Sequence, residues 1–118
     1  MSNKRSAVKQ EPSYIGEFEE LVLLAIRNLG PTRAYGAAVV QALESAGRRT
    51  VVGALYTTLS RLEEKGLVSS WMADPTTERG GRAKKYFKVE AKGEQALKKA
   101  NDQRRKLSSP DFGFAFKG

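Results

Sequence analysis

Apolar positions recur at helical spacing through most of the first two-thirds of the chain, then switch to alternation, then return to helical spacing. The spacing predicts a first helix over residues 16–29, where Phe18, Leu21, Val22, Ala25, Ile26 and Leu29 form a wide apolar stripe. Glu17, Glu19 and Glu20 stand in its first turn, where carboxylates suit the positive end of the helix dipole. Gly30 and Pro31 end it. A short link, residues 32–34, has the makings of a stub of edge strand. A second helix is expected from about Tyr35 to Ala46, with Tyr35, Val39, Val40 and Leu43 along one face and Gly47 closing it.

Residues 53–68 (GALYTTLSRLEEKGLV) predict the third helix, and the rest of the chain is arranged around it. Leu55, Leu59 and Leu62 share one side of a 3.6-residue turn, with Val52 expected on the same dry side one turn upstream. Gly66 supplies the left-handed stop. Gly53, Thr57 and Ser60 project from the opposite side, flanked by Tyr56 and Arg61. An ordinary solvated face would carry more Glu and Lys. A small, neutral, hydrogen-bonding face suits a helix that enters a groove and touches base edges. Two helices of about a dozen residues joined by a short turn through Arg48, Arg49 and Thr50 make a helix-turn-helix arrangement.

After Gly66 the period becomes two. Residues 67–72 and 84–89 read as strands, with Phe87 and Val89 buried and the stem of Lys85 covering apolar surface while its amine reaches water. Pro75, Gly80 and Gly81 mark the segment between them as a loop. Residues 91–107 predict a last helix with a thin apolar face, Ala96, Leu97, Ala100 and Leu107, whose small residues suit close approach to another helix. In the tail, 108–118, Phe112, Phe114 and Phe116 alternate strictly, a pattern for an extended segment docked on the chain's own dimer.

The chain has 118 residues, so one domain with an appended helix is expected; 40% of residues are hydrophobic and 29% charged, which places it among folded soluble proteins. No run approaches the ~18 apolar residues of a membrane span. The N-terminus lacks the apolar core of a signal peptide, so a cytoplasmic location is expected. With no Cys and no His, disulfides, zinc fingers and thiol or imidazole catalysis are excluded, and no cofactor is expected. The net charge is +8, which points to an anionic partner. Its placement sharpens the picture. Residues 1–14 hold Lys4, Arg5 and Lys9 without apolar periodicity, a flexible basic arm. Between Arg79 and Lys88 lie Arg79, Arg82, Lys84, Lys85 and Lys88 with no acid. Lysines there also guard a hairpin edge, but basic residues beside a glycine-flexible loop suit phosphate and minor-groove contact.

Together these segments resemble the PadR-like family of transcriptional regulators. The resemblance rests on residues 53–68, on Tyr35 and Gly36 at the second helix's start, on Trp71 in the first strand, on residues 81–89 (GRAKKYFKV), and on Lys92 and Gly93 opening the last helix. It covers roughly residues 16–97, and the order and spacing of the motifs are more specific than any one of them. Thr57, Ala83 and Glu90 depart from the family pattern, and the C-terminal region is short for it. The resemblance implies a mainly helical winged helix-turn-helix fold over residues 15–90, a homodimer built through the C-terminal helix, and repression at inverted-repeat operators.

On this reading double-stranded DNA is the partner, with Thr50, Tyr56, Thr57, Ser60 and Arg61 as the recognition face. Arg61 suits either guanine or phosphate, and the hydroxyls either bases or phosphates. Arg79, Arg82 and Lys84 would hold the backbone or reach the minor groove. Tyr35 suits a phosphate contact or a packed position equally, and Trp71 a packing role or the wall of a ligand site between subunits. Leu97, Ala100, Leu107, Phe112 and Phe114 are the candidate dimer contacts. A small-molecule effector is left open. The alternative function is a winged-helix module that binds protein instead of DNA, which calls for an apolar or acidic third helix and a wing without clustered charge. No motif supports an enzyme.

Overall fold

The computed structural model describes residues 14–73 and 84–109. Helices α1 (Glu17–Leu29), α2 (Gly36–Ser45) and α3 (Val52–Glu64) are followed by strands β1 (Val68–Met72) and β2 (Lys85–Val89) and by helix α4 (Ala91–Ser108). The element order is the one the periodicity predicts. The basic arm up to Ser13, most of the loop between the strands and the phenylalanine tail lie outside the described residues.

Helix α1 runs through the centre and touches α2, α3, α4 and β2. Val22, Leu23, Ala25 and Ile26 are buried, while Phe18, Leu21 and Leu29 are only partly covered. Leu23 falls outside the stripe read from the sequence. It is buried because α1 is covered on several sides at once, which widens the apolar arc beyond one helical face. The same crowding buries Glu19 and Glu20, which do more than answer the helix dipole. Glu19 accepts the Gly16 amide at 2.9 Å and the Lys65 ammonium at 3.0 Å. Glu20 accepts both guanidinium nitrogens of Arg104, at the far end of α4.

In α3, Leu55, Leu59 and Leu62 are buried as their spacing requires, and Thr58 joins them. Val52 does not: it is 54% exposed. It stands at the first position of the helix, beyond the reach of the packing that covers Leu55. Gly66 has φ 78°, the left-handed conformation that ends α3 and frees the chain to extend.

Strands β1 and β2 pair antiparallel with Ser70 opposite Phe87 and Trp71 opposite Tyr86. Phe87 is buried and Val89 half-buried against the core. The edge strand expected over residues 32–34 is displaced: residues 31–33 form a turn, and the pairing falls at Ala34 and Tyr35. The Phe87 amide donates to the Ala34 carbonyl at 2.8 Å, and Tyr35 bridges Tyr86, so residues before α2 extend the hairpin on its free side.

Helix α4 begins against the end of β2 and the Leu67 backbone just before β1. A Cβ on Gly93 would stand 2.8 Å from Val89 Cγ1 and nearer still to the Leu67 carbonyl oxygen. Only glycine lets the helix lie this close. Ala96 and Leu97 are buried in the chain's own core, while Leu107 is 67% exposed. Leu97 therefore anchors α4 within the chain and is not left over for a second copy, as its place on a thin apolar face had implied.

Candidate nucleic-acid interface

The surface is built on the outer side of α3. Helical spacing sets Gly53, Thr57, Ser60 and Glu64 opposite the Leu55, Leu59 and Leu62 stripe, and all four are exposed. Tyr56 and Arg61 flank them, also exposed. The acids Glu63 and Glu64 fall at the C-terminal end, so the N-terminal half of α3 is the half without negative charge. Thr50 is not part of this face. It is 9% exposed, and its hydroxyl donates to the Arg48 carbonyl at 2.9 Å, closing the turn that leads into α3. A residue that holds a turn has no hydroxyl proton left for a base edge.

Three contacts fix the orientation of α3. The Tyr56 ring crosses the start of α2 so closely that a Cβ on Gly36 would stand 2.7 Å from Tyr56 Cζ. At the other end Lys65, which caps α3, donates to Glu19. Burial raises the pKa of the Glu19 carboxyl, but the Gly16 amide, the Lys65 ammonium and the nearby Arg61 charge outweigh it and hold the group below its ordinary value. Glu63 makes the third link. It accepts the Ser70 hydroxyl at 2.6 Å and lies 3.8 Å from Lys85 Nζ, tying α3 to both hairpin strands.

The hairpin is held near the loop end of its strands by aromatic rings. Tyr86 stacks on Trp71 with centroids 6.2 Å apart and meets Tyr35 edge-on at 5.5 Å. Lys84 Nζ sits 4.3 Å over the Tyr35 ring. Tyr35 is thus half-buried as a packing residue that also steers a basic side chain, and Trp71 is a partly exposed member of the same stack. Arg79 and Arg82 lie outside the described residues, as do Phe112 and Phe114.

Charges near α3 divide into two sets. Arg48 is engaged by Glu17 at 3.2 Å and by the Phe18 ring. Among the described residues Arg49, Arg61 and Lys84 make no ion pair, and all three are exposed. Arg49, immediately before Thr50, reads in the sequence as part of the turn and is not among the candidate contact residues. Its signal was the Arg48–Arg49 pair, only one of which α1 neutralises.

Along the opposite side of the molecule α4 lies against α1. Arg27 pairs with Glu94 at 3.0 Å and Arg104 with Glu20, spanning an open cleft of about 570 Å³ also lined by Leu24, Leu97, Lys98 and Asn101. Among the described residues no helix is long and apolar enough to cross a membrane.

The comparison with known proteins now falls on a defined architecture. Residues 22–99 match the model of the "Transcriptional regulator PadR-like family". The chain belongs to that family. It is a PadR-like transcriptional regulator, not an enzyme, and the four helices and hairpin of the described residues are the family's winged-helix fold with a C-terminal helix. A PadR-like transcription factor from Bacteroides fragilis is similar at 27% identity and TM-score 0.68, over 92% of this chain and 93% of that one. A transcriptional regulator from Streptococcus is similar at 30% identity and TM-score 0.65, over 83% and 91%. A PadR family regulator from Eggerthella lenta shares the fold at 24% identity and TM-score 0.67, over 99% and 93%. A search of curated proteins found no match.

Proposed function

We propose that this PadR-like regulator binds double-stranded DNA as a homodimer and represses promoters that carry an inverted repeat. The exposed face of α3 that precedes Glu63 enters the major groove, presenting Thr57 and Ser60 to base edges or phosphates. Arg61, on the flank of that face, meets phosphate or guanine. Arg49 and Lys84 flank the groove and hold the backbone, and the hairpin, the wing, carries Arg79 and Arg82 to the backbone or the adjacent minor groove. Repression follows from occupying the promoter.

The observation that carries this reading is the exposed, acid-free half of α3, locked to a basic strand through Glu63, Ser70 and Lys85. A protein-binding winged helix calls for an apolar or acidic face here and a wing without clustered charge, whereas Arg79, Arg82, Lys84, Lys85 and Lys88 cluster in the wing sequence. The dimer reading rests on the distal half of α4, where Ala100 is half-buried and Leu107 exposed. Two copies joined there would carry two α3 helices ~34 Å apart, or a multiple of it.

Equilibrium binding to duplex DNA at several salt concentrations tests the reading. If a dimer neutralises roughly six to ten phosphates, affinity falls by about three to five orders of magnitude between about 50 and about 200 mM salt. Arg61→Ala weakens a selected site and relaxes its base preference, while Arg82→Ala weakens all duplexes evenly. A flat response to salt, or wild-type binding by both variants, contradicts it.

A further inference from the structure

The proposed contacts account for the middle of α3 and leave its tip unexplained. Val51 caps the helix and Val52 begins it, and they are 71% and 54% exposed. Gly53 and Ala54 follow, also exposed. Four consecutive residues at the leading end of α3 thus carry no hydrogen-bonding side chain. A solvated helix start ordinarily has Ser, Thr, Asp or Asn as its cap; α3, like α2 and α4, has no side-chain cap, and what sets it apart is that its cap and first residue are both exposed aliphatics. Two β-branched aliphatic residues facing water at that point are unfavourable for the free protein, which points to something apolar that covers them in the bound state.

We infer that Val51 and Val52 are specificity-determining residues that read the C5-methyl groups of thymines in the major groove. This rests on the DNA-binding reading above. The leading end of a recognition helix lies nearest the base edges. With only aliphatic side chains there, donor and acceptor patterns go unread, and the thymine methyl is the one apolar feature that a base pair displays in that groove. Gly53 and Ala54 add no bulk, so the valines can come within contact distance of the bases. Tyr56, one turn after Val52 on the same side, closes the edge of this patch against Gly36. The occupant is therefore DNA bearing methyl groups at fixed positions in each half-site.

The test uses the full chain and a duplex that it selects from a random library. Each thymine of that duplex is replaced in turn by deoxyuridine, which removes only the methyl. One or two positions per half-site should each weaken wild-type binding by about fourfold, the factor that corresponds to about 0.8 kcal/mol for one methyl-sized group withdrawn from water. The variant carrying Val51→Ala and Val52→Ala should bind the thymine and uracil duplexes alike. Tight binding of the selected duplex with every uracil replacement tolerated would overturn the inference and leave the DNA reading intact. So would a uracil penalty that persists in the double variant. If the double variant fails to fold, Val51→Ala and Val52→Ala made singly supply the same comparison. Unchanged DNA binding by the variant with a shifted sedimentation coefficient would make the patch a contact between copies, and overturn it too. If no duplex is enriched at all, it is the DNA reading that fails.

Discussion

The ring of Tyr56 on α3 occupies the space that any side chain on Gly36 of α2 would need, with Tyr56 Cζ 2.7 Å from where a Cβ would stand. This contact sets how α3 crosses α2, and with it where Thr57 and Ser60 point. Gly36→Ala must displace the tyrosine or push the helices apart. It should cost about 1–3 kcal/mol of stability, the usual range for overpacking. Denaturant unfolding measures this. Combining Gly36→Ala with Tyr56→Ala should recover part of the loss, because the clash is removed; a purely additive double variant would show that the two residues do not meet.

The close seat of α4 on Leu67 and Val89 makes a parallel case. Gly93→Ala would drive a methyl into the Leu67 carbonyl and the Val89 side chain. A similar loss, about 1–3 kcal/mol, is expected by denaturant unfolding. Hydrogen exchange should quicken in the first turn of α4, and unaltered exchange there would mean that the helix does not depend on this approach.

The shape of the fold was legible in the sequence because it follows from period and punctuation. The Leu55, Leu59 and Leu62 repeat, the stop at Gly66 and the alternation around Phe87 placed α3 and the hairpin. What periodicity does not carry is neighbourhood. Thr50 reads as an exposed hydroxyl beside a basic pair, yet it is buried because its turn folds back on Arg48. Val52 reads as part of the dry stripe, yet nothing among the described residues covers the tip of α3. Leu97 reads as spare apolar surface, yet it completes the core. Val52 and Leu97 turn on what lies opposite, a matter fixed by residues far away in the chain, and Thr50 on a local turn that periodicity does not describe. Tyr35 and Gly36 were visible as a motif, but their purpose came only with Tyr86 and Tyr56 set beside them.

Glu19 gives a dependence on pH. Its carboxyl lies below its ordinary value of 4.5 in the folded chain, so it binds its proton more weakly there than when unfolded. Its contribution to stability is fully present above about pH 4.5 and is lost as pH falls through the lowered value. Wild type should therefore be more stable than Glu19→Gln at neutral pH, and the gap should close below about pH 4.5 as the carboxyl protonates. Denaturant midpoints measured for both proteins across that range check this; a gap that is constant with pH would remove the ion pair with Lys65 from the account.

The dimer is tested at Leu107, which is 67% exposed on the distal half of α4. Leu107→Glu should raise the dimer dissociation constant by at least about tenfold, which is about 1.4 kcal/mol, as read by sedimentation equilibrium. Truncation after Lys106, which removes Leu107 and the three phenylalanines, should lower the dimer fraction further. A dimer unchanged by both would place the interface elsewhere.

The central claim is that the acid-free half of α3 and the basic wing read DNA as a symmetric pair. Selection of bound duplexes from a random library tests it most directly. The predicted outcome is enrichment of an inverted repeat whose half-site centres lie about one helical turn, or a multiple of it, apart. Recovery of DNA with no sequence enriched over the starting library would contradict it.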